Sequence, residues 1–514
     1  MQSSPSHSNT WYVYLAVIMS GAAVLALELL GTRLLAPFCG ADIYLWSALI
    51  SVTLIALSCG YALGGRFADK GPNLLRLALL IGLAGIWIVV IPWLRLPLFS
   101  LAQSIDLRIG VLLIALILFF PPMTLLGMVS PYAVRLRVAS VETVGTTAGN
   151  LYAISTVASV VAALATGFIL IPNIGVPTLV FVIGLLLIVT AAVGRITQSK
   201  TKGAIAALLI LAVTVSLWFF ASPKQLANPE SGLLAVETSA YADLRVVERD
   251  SVRYLLVDGG THSSVDVVTL QTHMSYVNVL NLTRNYFDKT GTMLTVGLGG
   301  GSVARGFAQK GWKVDAVEID PVVTKLAHEY FGLAPKECQT YEMDGRQYLA
   351  THKDSYDVII LDAYGSSYIP FHLVTKEAFA LAKSRLNTDG ILALNVECVG
   401  WNDPLVASLA ATIGESFRNV VALPIVEPPD QFGNLVLFAS DRSLDLAQDP
   451  PVPIDRFSLE YDQAHAWDNR FKPEIASAQI LTDNLNPVDS WSGRINRAAR
   501  AFYHSSLDTR GIAW

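Results

Sequence analysis

Charge is what this sequence has little of. Asp, Glu, Lys and Arg make up 15% of its 514 residues and hydrophobic residues 53%, whereas an ordinary soluble domain carries about 25% charged residues. A chain so poor in charge must have lipid as the solvent for part of its length. Basic blocks are missing as well, and the net charge is a mild -5. This excludes the electrostatic footprint of a nucleic-acid partner. Cysteine is scarce. Cys39, Cys59, Cys338 and Cys398 form no CxxC pair and no even framework in a small domain, which removes zinc-ribbon and disulfide-scaffold readings and leaves buried thiols. No metal site is expected.

The shortage of charge is uneven. Charged residues are sparse before about Lys224 and dense after it, so the chain divides by solvent into residues 1–224, a multi-pass membrane domain, and residues 225–514, a domain in water. A spanning helix needs about 20 mostly apolar residues because every backbone N–H and C=O must be satisfied inside lipid. Seven stretches qualify, near residues 11–31, 44–64, 73–93, 109–129, 147–171, 176–194 and 203–221. The first has no basic segment before it and is followed by further spans, so it reads as retained rather than as a cleaved signal peptide.

Arg66, Lys70 and Arg76, then Arg135 and Arg137, then Arg195, Lys200 and Lys202 fall in alternate loops, which places those loops in the cytoplasm. Seven spans then put the carboxy-terminal domain outside. A cytoplasmic place for that domain requires one span more or fewer. The segment between Trp93 and Ile109, with Pro97, and the Pro121-Pro122 pair are where a re-entrant piece would fit. Glu28 and Arg33 are intramembrane charges, functional candidates by position, although Arg33 can snorkel and Glu28 can pair within the bundle. The loop at residues 64–71 resembles the one joining the second and third helices of major-facilitator transporters, but a short basic turn also serves as a topology anchor.

After about Leu233, short β-rich runs alternate with amphipathic helices, the pattern of a parallel sheet flanked by helices. Residues 244–248 and 254–258 read as a small amino-terminal β-hairpin. The strand at residues 293–296 runs into Gly297-Leu298-Gly299-Gly300-Gly301, with a helix opening near Ser302. Glycines there let a ligand approach the backbone, and the helix start offers free N–H donors. About twenty residues on, the next strand ends in Glu318, placed to accept hydrogen bonds from both ribose hydroxyls, or else to cap a helix. Asp344-Gly345 closes a third strand, and Asp344 is a candidate acceptor from an adenine amino group. A fourth strand, residues 356–361, delivers Asp362 to the edge where ligands bind in open α/β sheets. A turn-forming role before Ala363 is its alternative.

The order of glycine turn, acidic ribose reader, Asp-Gly and strand-end Asp resembles the spermidine synthase family, within the class I S-adenosylmethionine-dependent methyltransferase-like fold. The resemblance covers roughly residues 235–440 and a tail at residues 481–488. Residues 127–131 and Asn150-Leu151-Tyr152-Ala153 resemble membrane segments fused to such domains in bacteria, so the architecture as a whole is similar to bacterial membrane-bound spermidine synthase-like proteins. The fold implied is a polytopic α-helical membrane domain followed by an α/β Rossmann-like domain.

What the resemblance implies is transfer of an aminopropyl group from decarboxylated S-adenosylmethionine to an amine, releasing methylthioadenosine. No tightly bound cofactor is involved, the location is the bacterial inner membrane, and family members are often oligomeric. Asp362 matches the first Asp of the family's Asp-Ser-Ser-Asp-Pro type motif and would take a proton from the amine. Gly297, Gly299, Gly301, Glu318, Asp344 and Gly345 would hold the donor.

The sequence departs from the family where cations bind. The motif's second Asp falls near Gly365, and the glycine-turn acid that holds the donor's amine corresponds to Gly300. His262 stands for a glutamine, and Gln271-Thr272-His273 for a Tyr-His-Glu stretch. His262 and His273 are base candidates near neutral pH, against the blander reading of structural histidines. Tyr364 and Tyr368 could close over the acceptor or pack the loop. The missing acids favour a less cationic amine, a lipid-proximal acceptor, or methyl transfer from S-adenosylmethionine itself. A transporter or sensor that binds a nucleoside without chemistry is the reading from another class.

Overall fold

The computed structural model describes residues 10–39, 43–102, 107–138, 140–198, 229, 232–364, 369–425, 431–444, 459–476, 478–488, 490–491, 494–495 and 498–499. Two compact units result: residues 1–225 with 238–240, and residues 226–237 with 241–514.

The first unit is helical: α1 (Thr10–Cys39), α2 (Ile43–Asp69), α3 (Leu74–Ala102), α4 (Leu107–Gly127), α5 (Val129–Arg137), α6 (Val144–Ala165) and α7 (Val176–Gln198). Six spans among the described residues are long and apolar enough to cross a membrane: Thr10–Ala36, Ile43–Asp69, Leu74–Arg95, Ile109–Arg137, Val141–Leu170 and Val176–Thr197. They correspond to the first six expected stretches. The seventh, residues 203–221, lies outside the described residues.

The suspected prolines lie inside helices, while residues 103–106 of the suspected segment lie outside the described residues. Helix α3 runs through Pro92 and Pro97, and α4 through Pro121 and Pro122, as proline-containing helices do in lipid when neighbours and local adjustments satisfy the freed carbonyls. The irregular turn is instead a π-helical segment, Thr166–Leu170, after α6. Helix α3 packs on α7, α2 on α4 and α1 on α6. Gly85 and Gly184 set the α3–α7 approach: a methyl group on Gly85 would lie 2.7 Å from the Gly184 carbonyl oxygen, and small residues at such crossings are how helices associate without a hydrophobic drive.

The second unit begins with a four-stranded antiparallel meander, β1 (Leu233–Thr238), β2 (Asp243–Arg249), β3 (Val252–Val257) and β4 (Gly260–Asp266). The expected hairpin is its central pair. Strand β4 escaped notice because Gly260–Asp266 is mostly polar and lacks apolar alternation. Two-residue turns at Asp250-Ser251 and Asp258-Gly259, all four residues at positive φ, close both hairpins in the sense that matches strand twist.

A seven-stranded sheet follows, in the order β10-β11-β9-β8-β5-β6-β7. Its strands are β5 (Thr292–Val296), β6 (Lys313–Glu318), β7 (Gln339–Glu342), β8 (Tyr356–Leu361), β9 (Leu386–Val399), β10 (Asn419–Pro424) and β11 (Phe432–Ser440). The run β9-β8-β5-β6-β7 is parallel, and β10 and β11 are antiparallel additions. Alternate residues feed two cores. Leu294, Val296, Ile359 and Leu361 enter one; Met293, Val358 and Ile360 enter the other. Both faces are therefore covered, as a parallel sheet requires. The small sheet packs Leu244, Val246, Leu255 and Val265 against Val323, Leu326 and Phe331.

Candidate active site

Strand order reverses between β5 and β8: the chain leaves β5 toward β6 and β7, then returns to β8 on the other side. Crevices at such points, beyond the carboxyl ends of the strands, are where open α/β sheets bind ligands. Gly297 and Asp362 flank this crevice, and the strand ends interlock there: Asp362 N donates to the Val296 carbonyl at 2.8 Å, and Gly297 N to the Val317 carbonyl at 2.8 Å.

The glycine turn is built by exclusion. Gly297, Gly299 and Gly301 have φ of 95°, 52° and 77°, in the left-handed region, and a Cβ on Gly297 would collide with the Asp362 carbonyl. Only glycine combines that φ with that space. The turn delivers the chain to the helix Ser302–Ala308 with Gly301 as its N-cap. Glu318, half-buried at the end of β6, accepts from Leu298 N at 3.0 Å and from Asp320 N at 3.0 Å. Burial raises its carboxyl pKa against the pull of those two N–H groups. The cap of the following helix, Pro321–Tyr330, is Asp320, not Glu318, so the capping alternative for Glu318 falls away.

Ser263 on β4 was not picked out by sequence reasoning. Its hydroxyl accepts from Gly300 N at 2.8 Å, tying the small sheet to the glycine turn. A side chain at Gly300 would meet Ser263 and Phe331 at 3.0 Å. The position that carries an acid in the family is thus closed by packing. His262, the neighbour of Ser263, is half-buried beside this turn, its carbonyl oxygen 3.9 Å from a Cβ built on Gly299. His273 is exposed, and its backbone N donates to the Ser264 carbonyl.

Asp344 and Gly345 open the helix Gly345–Thr351. Asp344 caps it through Oδ1, which accepts from Gln347 N at 2.9 Å, while Oδ2 lies 2.8 Å from His372 Nε2. That histidine contact chiefly holds the Asp344 carboxyl below its ordinary range. The tail expected at residues 481–488 braces the same region. Asp483 makes a two-pronged pair with Arg346, at 2.7 and 2.6 Å, and accepts from Thr375 Oγ1 at 2.8 Å.

On the other side of the crevice, Asp362 Oδ1 accepts from Asn395 Nδ2 at 2.9 Å, and the Tyr276 hydroxyl also bonds its carboxylate. Burial nevertheless pushes the Asp362 carboxyl up to about 7. Asn395 is held in turn by Asn434 Nδ2, 3.0 Å from its Oδ1. Strand β9 outruns β8, whose last pairing is Leu361 with Leu394. The Tyr364 hydroxyl satisfies the backbone left bare, donating to the Asn395 carbonyl at 2.9 Å and accepting from Glu397 N at 2.8 Å. Tyr364 is therefore a packing residue of the strand end. Tyr368 and residues 365–367 lie outside the described residues. Glu397 is a second acid at this edge that the sequence reading did not single out. Among the described residues, no group of three or more His, Cys, Asp or Glu could hold a metal ion.

Residues 272–446 match the spermine/spermidine synthase domain. That stretch is similar to a spermidine synthase domain. Across a longer stretch it is 26% identical over 287 residues to a polyamine aminopropyltransferase of Vibrio vulnificus, covering 51% of this chain and 91% of that protein. It is 35% identical over 222 residues to a probable polyamine aminopropyl transferase of Bifidobacterium longum, covering 39% of this chain and 49% of that one. The crystal structure of a probable spermidine synthase from Corynebacterium glutamicum aligns with 53% of this chain and 95% of its own, with a TM-score of 0.39 and 18% identity. The matched residues contain the glycine turn, Glu318, Asp344, Asp362 and Glu397, whereas Ser263 and His262 precede them. Similar proteins include these aminopropyltransferases and also N-methyltransferases, among them an N-terminal histidine N-methyltransferase of Emericella nidulans, 28% identical over 222 residues that cover 41% of this chain and 38% of that one; both kinds are transferases.

Proposed function

We propose that this chain is a membrane-anchored aminopropyltransferase that moves an aminopropyl group from decarboxylated S-adenosylmethionine to an amine. The observation that carries the reading is Asp362, a carboxyl near 7 at the lip of the β5–β8 crevice. An acid tuned to that range is a general base at neutral pH. The amine nitrogen attacks the aminopropyl carbon bonded to the sulfonium, the C–S bond breaks with its electron pair going to sulfur, and Asp362 takes the proton the new ammonium sheds. The products are the aminopropylated amine and neutral methylthioadenosine.

Donor placement rests on the glycine turn and Glu318, whose carboxylate faces the ribose position. Both Glu318 oxygens already accept backbone N–H bonds, and each retains a lone pair for a hydroxyl. Asp344 and Gly345 would stand at the base end. The six apolar spans anchor the domain in the bacterial inner membrane, with the domain in the cytoplasm where the donor is made, and the acceptor is a small molecule.

Incubating the purified full chain with decarboxylated S-adenosylmethionine or S-adenosylmethionine, with and without a panel of amines, tests the reading by mass spectrometry of the nucleoside product. Methylthioadenosine formed only with the decarboxylated donor and an amine is expected. S-adenosylhomocysteine would replace the proposal with methyl transfer, and donor binding without any product would make the domain a sensor.

A further inference from the structure

The membrane unit holds a groove that its own side chains do not fill. Helices α3 and α7 are pressed together where Gly85 faces Gly184, so closely that a Cβ on Gly184 would lie 2.8 Å from the Gly85 carbonyl oxygen. Beyond that crossing a groove opens between them, with Ala78, Gly82 and Ala192 as its floor and the exposed Leu79 and Leu83 as its rim. Its lining follows α3 from Leu75 to Ile86, about 16 Å of helix, which matches the roughly 15 Å of hydrocarbon in one leaflet.

One end of the groove carries a charge. Arg195, in the last turn of α7, is exposed at its mouth. The starts of α1 and α3 and the end of α5 lie on the same side: Tyr12 fills the space beside Gly194, Arg137 Nη1 donates to Thr10 Oγ1 at 3.0 Å, and Asn73 N donates to the Tyr132 hydroxyl at 3.1 Å. This is the side of the basic loops, where lipid headgroups meet the helix ends. Neighbouring cations are engaged: Arg76 Nη1 donates to the Lys70 and Gly71 carbonyls at 3.2 and 2.9 Å, and Arg135 lies 3.7 Å from Asp69. Arg195 has no such partner among the described residues.

We infer that the α3–α7 groove seats one acyl chain of an anionic phospholipid, whose phosphate pairs with Arg195. A guanidinium forks onto phosphate oxygens, and a basic residue between membrane helices at headgroup level is a recurring form of lipid recognition. Apolar contact alone selects nothing, because lipid tails are as apolar as the leucine rim. The discrimination therefore lies in charge: a zwitterionic lipid brings its own cation beside the phosphate and gains less from Arg195. A free phosphate would meet the guanidinium but leave the groove empty. The inference concerns the membrane unit alone and stands whatever group the second unit transfers.

Native mass spectrometry of the purified full chain, released from detergent micelles containing phosphatidylglycerol or phosphatidylcholine of the same acyl chains, tests this. The parent should retain one phosphatidylglycerol about tenfold more tightly than phosphatidylcholine, the worth of one charge-assisted contact. Arg195→Gln should bring the two lipids within about threefold of each other, and Arg195→Lys, a charge without the fork, should fall between. Ala192→Phe fills the groove and spares the charge, and should weaken phosphatidylglycerol about tenfold. If Ala192→Phe melts well below the parent in lipid-free detergent, Leu79→Trp crowds the groove from its exposed rim and should weaken the lipid in the same direction. Equal retention of the two lipids by the parent, an undiminished preference in Arg195→Gln, unchanged retention when the groove is filled, or displacement of the lipid by inorganic phosphate each overturns the inference.

Discussion

The two sides of the crevice are made differently. At the ends of β5 and β6 the ligand surface is backbone, shaped by Gly297, Gly299 and Gly301 and steadied by Glu318 within one β-α-β unit. At the ends of β8 and β9 it is side chains, with Asp362, Asn395, Glu397 and Asn434 drawn from three strands far apart in sequence. Backbone geometry requires glycine and so marks the sequence. Side-chain clusters assembled by a strand order that reverses leave no local mark. The two sides can therefore change separately, and this chain departs from the pattern it resembles on both, at Gly300 in the glycine turn and near Gly365 after β8.

The most severe way to break the comparison is Asp362→Asn. Removing a general base costs about 10²- to 10⁴-fold in rate, while the glycine turn and Glu318 are untouched. Turnover should fall by that factor with methylthioadenosine affinity preserved, and loss of both together would mean the two sides are not separable. The complementary change, Glu318→Ala, should weaken donor binding by about 1.5 to 3 kcal/mol through lost charge-assisted hydrogen bonds. Amine affinity measured on the variant at saturating methylthioadenosine should not move. Unchanged donor affinity would mean that the ribose is read elsewhere.

How far the sequence revealed all this follows the same division. Six spans were legible because lipid imposes length and hydropathy on each helix separately. Pro97 and Pro121-Pro122 misled, since proline breaks helices by exposing a carbonyl that bundled helices can satisfy. The π-helical turn at Thr166–Leu170 holds no proline to announce it. In the domain, the glycine turn, Glu318 and Asp362 stood out as candidates because each closes a strand that is visible by itself. Ser263 was missed because a polar edge strand lacks alternation. Glu397 was missed because it becomes an active-site candidate only once β9 lies beside β8.

A smaller effect sharpens the comparison through pH. The Asp362 and Glu397 carboxyls are raised by burial, so between about pH 4 and 7 the folded domain holds protons that the unfolded chain has already released. The stability those acids allow is fully present below that window and is lost as pH rises through 7. Glu397→Gln removes its share of the loss. The variant's melting temperature relative to the parent should therefore be higher at pH 8 than at pH 5, by about 2 to 6 °C. A difference that does not vary with pH would mean that Glu397 is not held neutral by its surroundings.

The smallest effect belongs to the brace beside Asp344 and Gly345. Arg346 and Asp483 make a two-pronged pair, but Asp483 is 41% exposed, and pairs open to water are worth about 0.2 to 1 kcal/mol. Asp483 also accepts from Thr375 Oγ1, at the start of the helix Lys376–Ser384, so its loss affects two elements. Asp483→Asn keeps the shape and the Thr375 bond while removing the charge. It should lower stability by about 0.5 to 1 kcal/mol, an effect that shrinks in high salt. Methylthioadenosine affinity should fall less than threefold, because the Asp344 cap and its His372 contact remain in place. A larger loss of nucleoside binding than of stability would move the Arg346–Asp483 pair from scaffold to binding surface, and would make the carboxy-terminal tail part of the donor side.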